Sequence, residues 1–337
     1  GSEMCIRDRY RKHPDRILQA PGRRVSHGRY QYVLDFSRKE IVDYIYGMIA
    51  KLLSESNISY IKWDMNRSIT ECYSIAYPAD QQGEIFHRYI LGVYDLYERL
   101  TSAFPEVLFE SCASGGGRFD PGMLYYAPQG WVSDDSDAVE RLKIQYGTSM
   151  CYPLSSMGSH VSVIPNHQVF RNTPLHTRAN VAYFGTFGYE LDLNKLSDAE
   201  IEEVKAQIRF MKEYRELLQF GTFYRLKSPF DGNETVWMVV SEDKSKALVG
   251  YYRVLNGVNL PYSCVKLQGL DPDKLYENEL ANTEHYGDEL MNLGLITTDV
   301  SAGEVPQGAE PCMDFESRIY LLKEKQSRCI GAETVSK

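Results

Sequence analysis

Very little in this sequence points to a membrane, a nucleic acid or a metal. No apolar run reaches the roughly 18 residues of a membrane-spanning helix, so none is expected. Positive charge is in deficit, with 37 Lys and Arg against 46 Asp and Glu and a net charge of −9. Nucleic acids and anionic membranes reward basic patches, so neither is expected as the main partner. Cysteines lie scattered at positions 5, 72, 112, 151, 264, 312 and 329, with no CxxC or CxxxC pair. That removes zinc spacing, and an odd number in so long a chain is not a disulfide scaffold. A reducing, cytoplasmic location is expected. The 7 histidines do not cluster at ligand spacing, so neither a metal nor another cofactor is expected, and His160 and His167 read as structural or rim residues. Neither GxSxG nor GxGxxG occurs.

What the chain does have is length and tyrosine. Its 337 residues suffice for two domains with a sizeable core. The 25 tyrosines against 3 tryptophans suit a sugar site, or a rigid core. The first nine residues, GSEMCIRDR, have no apolar segment of a signal peptide and resemble translated adapter sequence. Residues 1–9 are therefore expected to be a non-native leader, with native sequence starting near Tyr10 inside a longer reading frame. Residues 326–337 form an expected polar tail.

From Arg29 to about Gln219 strand and helix patterns alternate. RYQYVLDF (29–36) reads as a strand, followed by a helix opened by Ser37 with Glu40 as a capping box. ISYIKWD (58–64) reads as a buried strand. Residues 83–104 then show helical apolar spacing at Ile85, Phe86, Tyr89, Val93, Leu96, Tyr97 and Leu100. PEVLFESC (105–112), GWVSD (130–134), YPLSSMGSHVS (152–162) and NVAYFGTFGYEL (180–191) supply further strands, and a second capping box, Ser197 with Glu200, opens the last helix. Repeated units of this kind imply a parallel sheet. Six units fall about two short of a (β/α)8 barrel, which needs roughly 250 residues. The choice is an open sheet or a partial barrel, and the odd N-terminus favours the second. After Phe220 short strands and turns indicate a C-terminal antiparallel β domain at 221–325, packed tightly on the catalytic part at 10–220.

Reactive groups in such barrels sit at the C-terminal ends of strands. YIKWDMNRS (60–68) places Asp64 there, beside Lys62 and Trp63; the plainer alternative is a loop start or a pair with Lys62. The next strand ends in ESCASGGGRFDPG (110–122), where Gly115–Gly117 allow close backbone approach to a ligand. A phosphate loop is a weak reading, because no GK[ST] follows. Cys112 lacks a His or Cys neighbour, so packing or ligand contact suits it better than nucleophilic attack. WVSDDSDAVERL (131–142) crowds Asp134, Asp135 and Asp137. Asp137 with Glu140 reads as a helix cap. Crowded carboxylates beside a tryptophan raise the pKa of at least one of them, as a general acid requires; a calcium or loop-capping cluster is the alternative. Two carboxylates facing each other across a barrel mouth are what glycoside hydrolysis needs.

KWDMNR (62–67), SCASGGGRFDPGMLYY (111–126) and WVSDDSDAVERLKIQYG (131–147) closely resemble the α-galactosidases of glycoside hydrolase family 36, and GRYQYVLDFSRKEIVDYI (28–45) and MGSHVS (157–162) agree. The resemblance runs from about Tyr10 to Glu324. It implies a retaining hydrolase of terminal α-galactosides such as melibiose and raffinose, acting through a covalent galactosyl-enzyme. It puts the nucleophile at Asp64, the general acid/base at Asp134, and sugar contacts at Arg29, Lys62, Asn66, Cys112 and Gly115. Lys62 would also keep Asp64 ionised. Cys112 and Gly115 would line the wall near the 2-hydroxyl, which favours galactose over its N-acetylated amine. Val132 departs from the family's usual Thr or Ser. A larger departure is the lack of an N-terminal β-sandwich and of the first two barrel strands, so strands 3–8 are expected here. The chain alone is expected to be inactive and its parent a homo-oligomer. Galactosyl transfer of the raffinose-synthase type and a non-catalytic sugar-binding remnant are the competing readings.

Overall fold

The computed structural model describes residues 10–258, 263–297 and 314–325; the expected leader and polar tail lie outside the described residues. The chain divides into two compact units, one ending at Asp134 and the other starting at Asp135.

In the first unit α1 (Lys39–Glu55), β1 (Tyr60–Asp64), α2 (Ile85–Ala103), β2 (Leu108–Cys112), α3 (Pro121–Tyr126) and β3 (Gln129–Trp131) follow in that order. The three strands pair in parallel, with Lys62 opposite Glu110, Asp64 opposite Cys112 and Glu110 opposite Gln129. Strand alternation sends Ile61 and Trp63 to one face and Tyr60, Lys62 and Asp64 to the other. The first face joins the apolar core of α1 and α2, which includes Val42, Val93, Leu96, Tyr97 and Phe109. There Trp63 packs at 5.1 Å from the Tyr97 ring. β1 is therefore not buried throughout: its residues alternate between exposed and half-buried. The apolar spacing of α2 is realised by burial of Ile85, Tyr89, Val93, Leu96, Tyr97 and Leu100. Phe86 is exposed, because one residue turns it about 100° away from Ile85.

Two expected features of this unit do not form. Residues 29–36 are not a strand. Arg29 and Tyr30 take φ values of 51° and 62°, and the Gln31 N–H donates to the Gly28 carbonyl at 2.9 Å. The segment folds back, leaving an isolated bridge between Leu34 and Ile17. Five barrel strands are thus found among the described residues. Ser37 does not cap α1 either. Its hydroxyl donates to Asp35, and the N-cap is Arg38, whose guanidinium pairs with Glu40 at 2.6 Å.

The second unit continues with α4 (Ala138–Thr148), β4 (Met157–Ser162), α5 (Leu175–Ala182), β5 (Thr186–Glu190) and α6 (Asp198–Phe220). β4 and β5 are parallel. Asp137 caps α4, accepting from the Val139 and Glu140 N–H groups, and Ser197 with Glu200 forms a reciprocal capping box on α6. β6 (Thr222–Lys227), β7 (Glu234–Val240), β8 (Lys246–Arg253), β9 (Cys264–Val265), β10 (Leu275–Asn278), β11 (Thr283–Tyr286), α7 (Gly287–Asn292), β12 (Leu295–Ile296) and β13 (Glu316–Glu324) follow. They form a six-stranded antiparallel sheet ordered β11-β10-β13-β8-β7-β6 and a β12-β9 pair. This sheet docks on α5: Tyr252 donates to the Asn180 carbonyl at 2.6 Å and Asn180 to Ser317 at 2.9 Å. The whole is a partial (β/α)8 barrel followed by an antiparallel β domain. No helix among the described residues is long and apolar enough to cross a membrane.

Candidate active site

All seven residues singled out in the sequence fall in the first unit: Asp64, Asn66, Cys112, Gly115 and Asp134 at or just beyond the carboxyl ends of β1 to β3, Lys62 within β1, and Arg29 in the turn before α1. Asp64 ends β1, and the Asn66 amide donates to its Oδ2 at 2.7 Å. The Asn66 Oδ1 accepts from the Ser114 N–H at 3.1 Å, tying the loop after β1 to the loop after β2. Cys112 stands opposite Asp64 in the sheet, 3% exposed. Burial, opposed by the Gly115 N–H and reinforced by Asp64, pushes this thiol up to about 11. It therefore stays protonated at neutral pH and does not serve as a nucleophile.

Gly115 links this side of the site to Asp134. Its φ of +83° is one that L-residues rarely adopt. A Cβ there would lie 2.8 Å from the Asp134 nitrogen and 2.9 Å from the Ser133 Cα; at Gly116 it would lie 2.6 Å from the Val132 carbonyl oxygen. The glycines expected to admit a ligand thus first admit the chain leading into Asp134. Gly115→Ala is expected to destabilise the protein by about 1–3 kcal/mol through strain and displacement of Asp134. Urea unfolding measures this; an unchanged midpoint would contradict the packing described.

Lys62 does not form its ion pair with Asp64. Its Nζ lies 3.5 Å from Glu110, a carboxylate 2% exposed, and 4.3 Å from the centre of the Trp131 ring. Glu110 also accepts from Tyr60 and, at 3.1 Å, from Gln129. Burial and this carboxylate push the Tyr60 hydroxyl up, so it remains a donor. A polar layer of Tyr60, Lys62, Glu110 and Gln129 thus lies beneath Asp64 and Cys112. A long cation between a carboxylate and an aromatic face is held in one place.

Two arginines escaped the sequence reading. Arg118 donates to the Cys112 carbonyl at 2.7 Å and the Trp63 carbonyl at 3.2 Å, fixing the ends of β1 and β2. Arg67, 7% exposed, donates to the Gln31 carbonyl at 3.3 Å and the Thr70 hydroxyl at 3.1 Å. It braces the turn that carries Arg29, itself exposed. The signal was the R of KWDMNR, but its partners lie far off in the chain. In the second unit Asp137 caps α4 and pairs with Arg171. That is the structural role read for it, and its own N–H donates to the Asp135 carboxylate at 3.1 Å.

Comparison with known proteins gives one consistent picture. The melibiase family model matches residues 3–221 and the glycosyl hydrolase family 36 C-terminal domain matches residues 234–322. Alpha-galactosidase AgaA of Geobacillus stearothermophilus is 56% identical over 94% of this chain, and alpha-galactosidase Mel36A of Lactobacillus acidophilus 51% identical over 93%. The chain spans 42% and 41% of the length of these relatives. A crystal structure of a doubly substituted AgaA in complex with raffinose matches with a TM-score of 0.89 at 51% identity, covering 94% of this chain and 43% of that one.

Proposed function

The chain belongs to the melibiase family, glycoside hydrolase family 36, and from that membership we propose that it is the main part of the catalytic barrel, with the C-terminal domain, of a retaining α-galactosidase. Residues 10–220 are assigned to the barrel and 221–325 to the β domain. The substrates are terminal α-galactosides of oligosaccharides of the raffinose and melibiose type. Asp64 attacks the anomeric carbon while Asp134 gives its proton to the departing oxygen, leaving galactose esterified to Asp64 and releasing the alcohol. Asp134 then takes a proton from water, which attacks the same carbon. α-Galactose leaves and the Asp64 carboxylate is restored. Such a mechanism needs the two carboxyls about 5–5.5 Å apart.

The observation that carries this reading is Asp64 at a strand end with three polar neighbours beside it or beneath it. The amide of Asn66 already bonds its carboxylate, and Cys112 stands opposite it in the sheet. Lys62 stands one layer below, held by Glu110. Lys62, Asn66 and Arg29 are assigned as donors to sugar hydroxyls, and Cys112 with the Gly115 backbone as the wall at the 2-hydroxyl. Support for the two roles also comes from the relatives. The aspartates replaced in the raffinose and stachyose complexes of AgaA stand as far apart in that chain as Asp64 and Asp134 in this one. The activity is proposed for the full-length enzyme, a homo-oligomer of the cytoplasm; the 337-residue polypeptide alone is proposed to be inactive. The test is proton NMR of raffinose hydrolysis by the full-length enzyme. First release of α-galactose supports the reading. First release of β-galactose removes the retaining mechanism, and transfer to a second sugar without hydrolysis favours a galactosyltransferase.

A further inference from the structure

The Gly28–Gln31 turn is built against the backbone preferences of its residues. Arg29 and Tyr30 both lie in the left-handed region, at φ 51° and 62°, and the Gln31 N–H closes the turn on the Gly28 carbonyl at 2.9 Å. That is the pattern of a type I′ turn, which favours Asn-Gly because bulky side chains are strained there. Strain of this kind persists where the surroundings over-determine it, and it gathers at functional sites.

The surroundings here are rigid. Arg67 holds the turn through the Gln31 carbonyl at 3.3 Å and the Ser26 carbonyl at 3.4 Å. Gly28 lies so close that a Cβ would come within 2.6 Å of the Arg67 Cδ. Tyr32, two residues on, is engaged: its ring packs on Tyr10 at 4.4 Å and its hydroxyl meets His27 at 2.8 Å. Tyr30 is not engaged in this way; the residue is 82% exposed. The brace, Arg67, is three residues beyond Asp64, on the loop whose Asn66 bonds Asp64. Arg67 thus ties the turn to the loop that follows Asp64.

Resting on the function proposed above, we propose that Tyr30 stacks on the sugar attached to the departing oxygen, and so selects oligosaccharide substrates, with Arg67 as the residue that positions its turn. A tyrosine ring offers a flat apolar face to a pyranose, and the turn fixes the backbone that carries it.

The test compares raffinose with α-galactosyl fluoride, which has no second sugar, on the full-length enzyme. Tyr30→Ala is expected to lower kcat/KM for raffinose about five- to tenfold, mainly through KM. It should leave the fluoride unchanged, and Tyr30→Phe should retain the raffinose value. Equal loss on both substrates, or loss on neither, overturns the proposal while the hydrolase reading stands. Wild-type enzyme that turns over neither substrate overturns both. Replacing Arg29 and Tyr30 together by Asn and Gly should raise Tm by about 2–4 °C, as relief of strain predicts; a lowered Tm would contradict the strain argument.

Discussion

Asp64→Ala is expected to lower kcat/KM for raffinose by about 10⁵-fold, or ~7 kcal/mol of transition-state stabilisation, in the full-length enzyme. The size follows from the nucleophile role proposed for it. Without the carboxylate no covalent intermediate forms, and water must attack from a cavity with no general base placed for it. Folding should be little affected, because the side chain is exposed at the strand end and Trp63 beside it supplies the packing. The vacated space makes a further prediction about product. Azide entering on the face left by Asp64 attacks with single inversion, so an activated α-galactoside should give β-galactosyl azide. A loss of tenfold or less in kcat/KM would move the nucleophile elsewhere.

Asp134→Ala is expected to act through the leaving group. With raffinose, whose departing alkoxide needs a proton, kcat/KM should fall about 10³–10⁴-fold. With a nitrophenyl α-galactoside the first step needs little protonation, so kcat and KM should fall together as the galactosyl-enzyme accumulates. Azide should then attack the intermediate and give α-galactosyl azide, the anomer opposite to that from Asp64→Ala. The two variants are thus told apart by stereochemistry, which a general loss of folding would not produce. Identical losses on both substrates would argue against the acid role. Asp137, one turn away in the same acidic run, is committed to the α4 cap and to Arg171.

The parts of the fold that were legible from sequence are those governed by local period. β1 was visible in YIKWD, α2 in its apolar stripe, and the cap of α6 in Ser197 and Glu200. The errors lie where a distant partner decides. RYQYVLDF has the composition of a strand, yet its first residues are bent by Arg67, 36 residues from Gln31. Ser37 has the right spacing to Glu40, but Asp35 takes its hydroxyl. Lys62 looked like the partner of Asp64, two residues away on the same face. The register instead sets it opposite Glu110, 48 residues on. Glu110 carried no local signal at all, since a buried carboxylate among aromatic residues reads simply as strand. Gly115 was marked for backbone freedom, correctly, but what comes close is the chain at Ser133 and Asp134. Roles of single residues came from motif resemblance, and the geometry adds what holds each of them.

The most direct test of the central claim is a mass measurement. The full-length enzyme would be treated with a fluorinated α-galactoside that forms the covalent intermediate but releases it slowly, then digested and sequenced by mass spectrometry. The account predicts one galactosyl unit per chain, on the peptide containing Lys62–Arg67 and esterified to Asp64. Label on Asp134, or no label while β-galactose is released from an ordinary substrate, would contradict it.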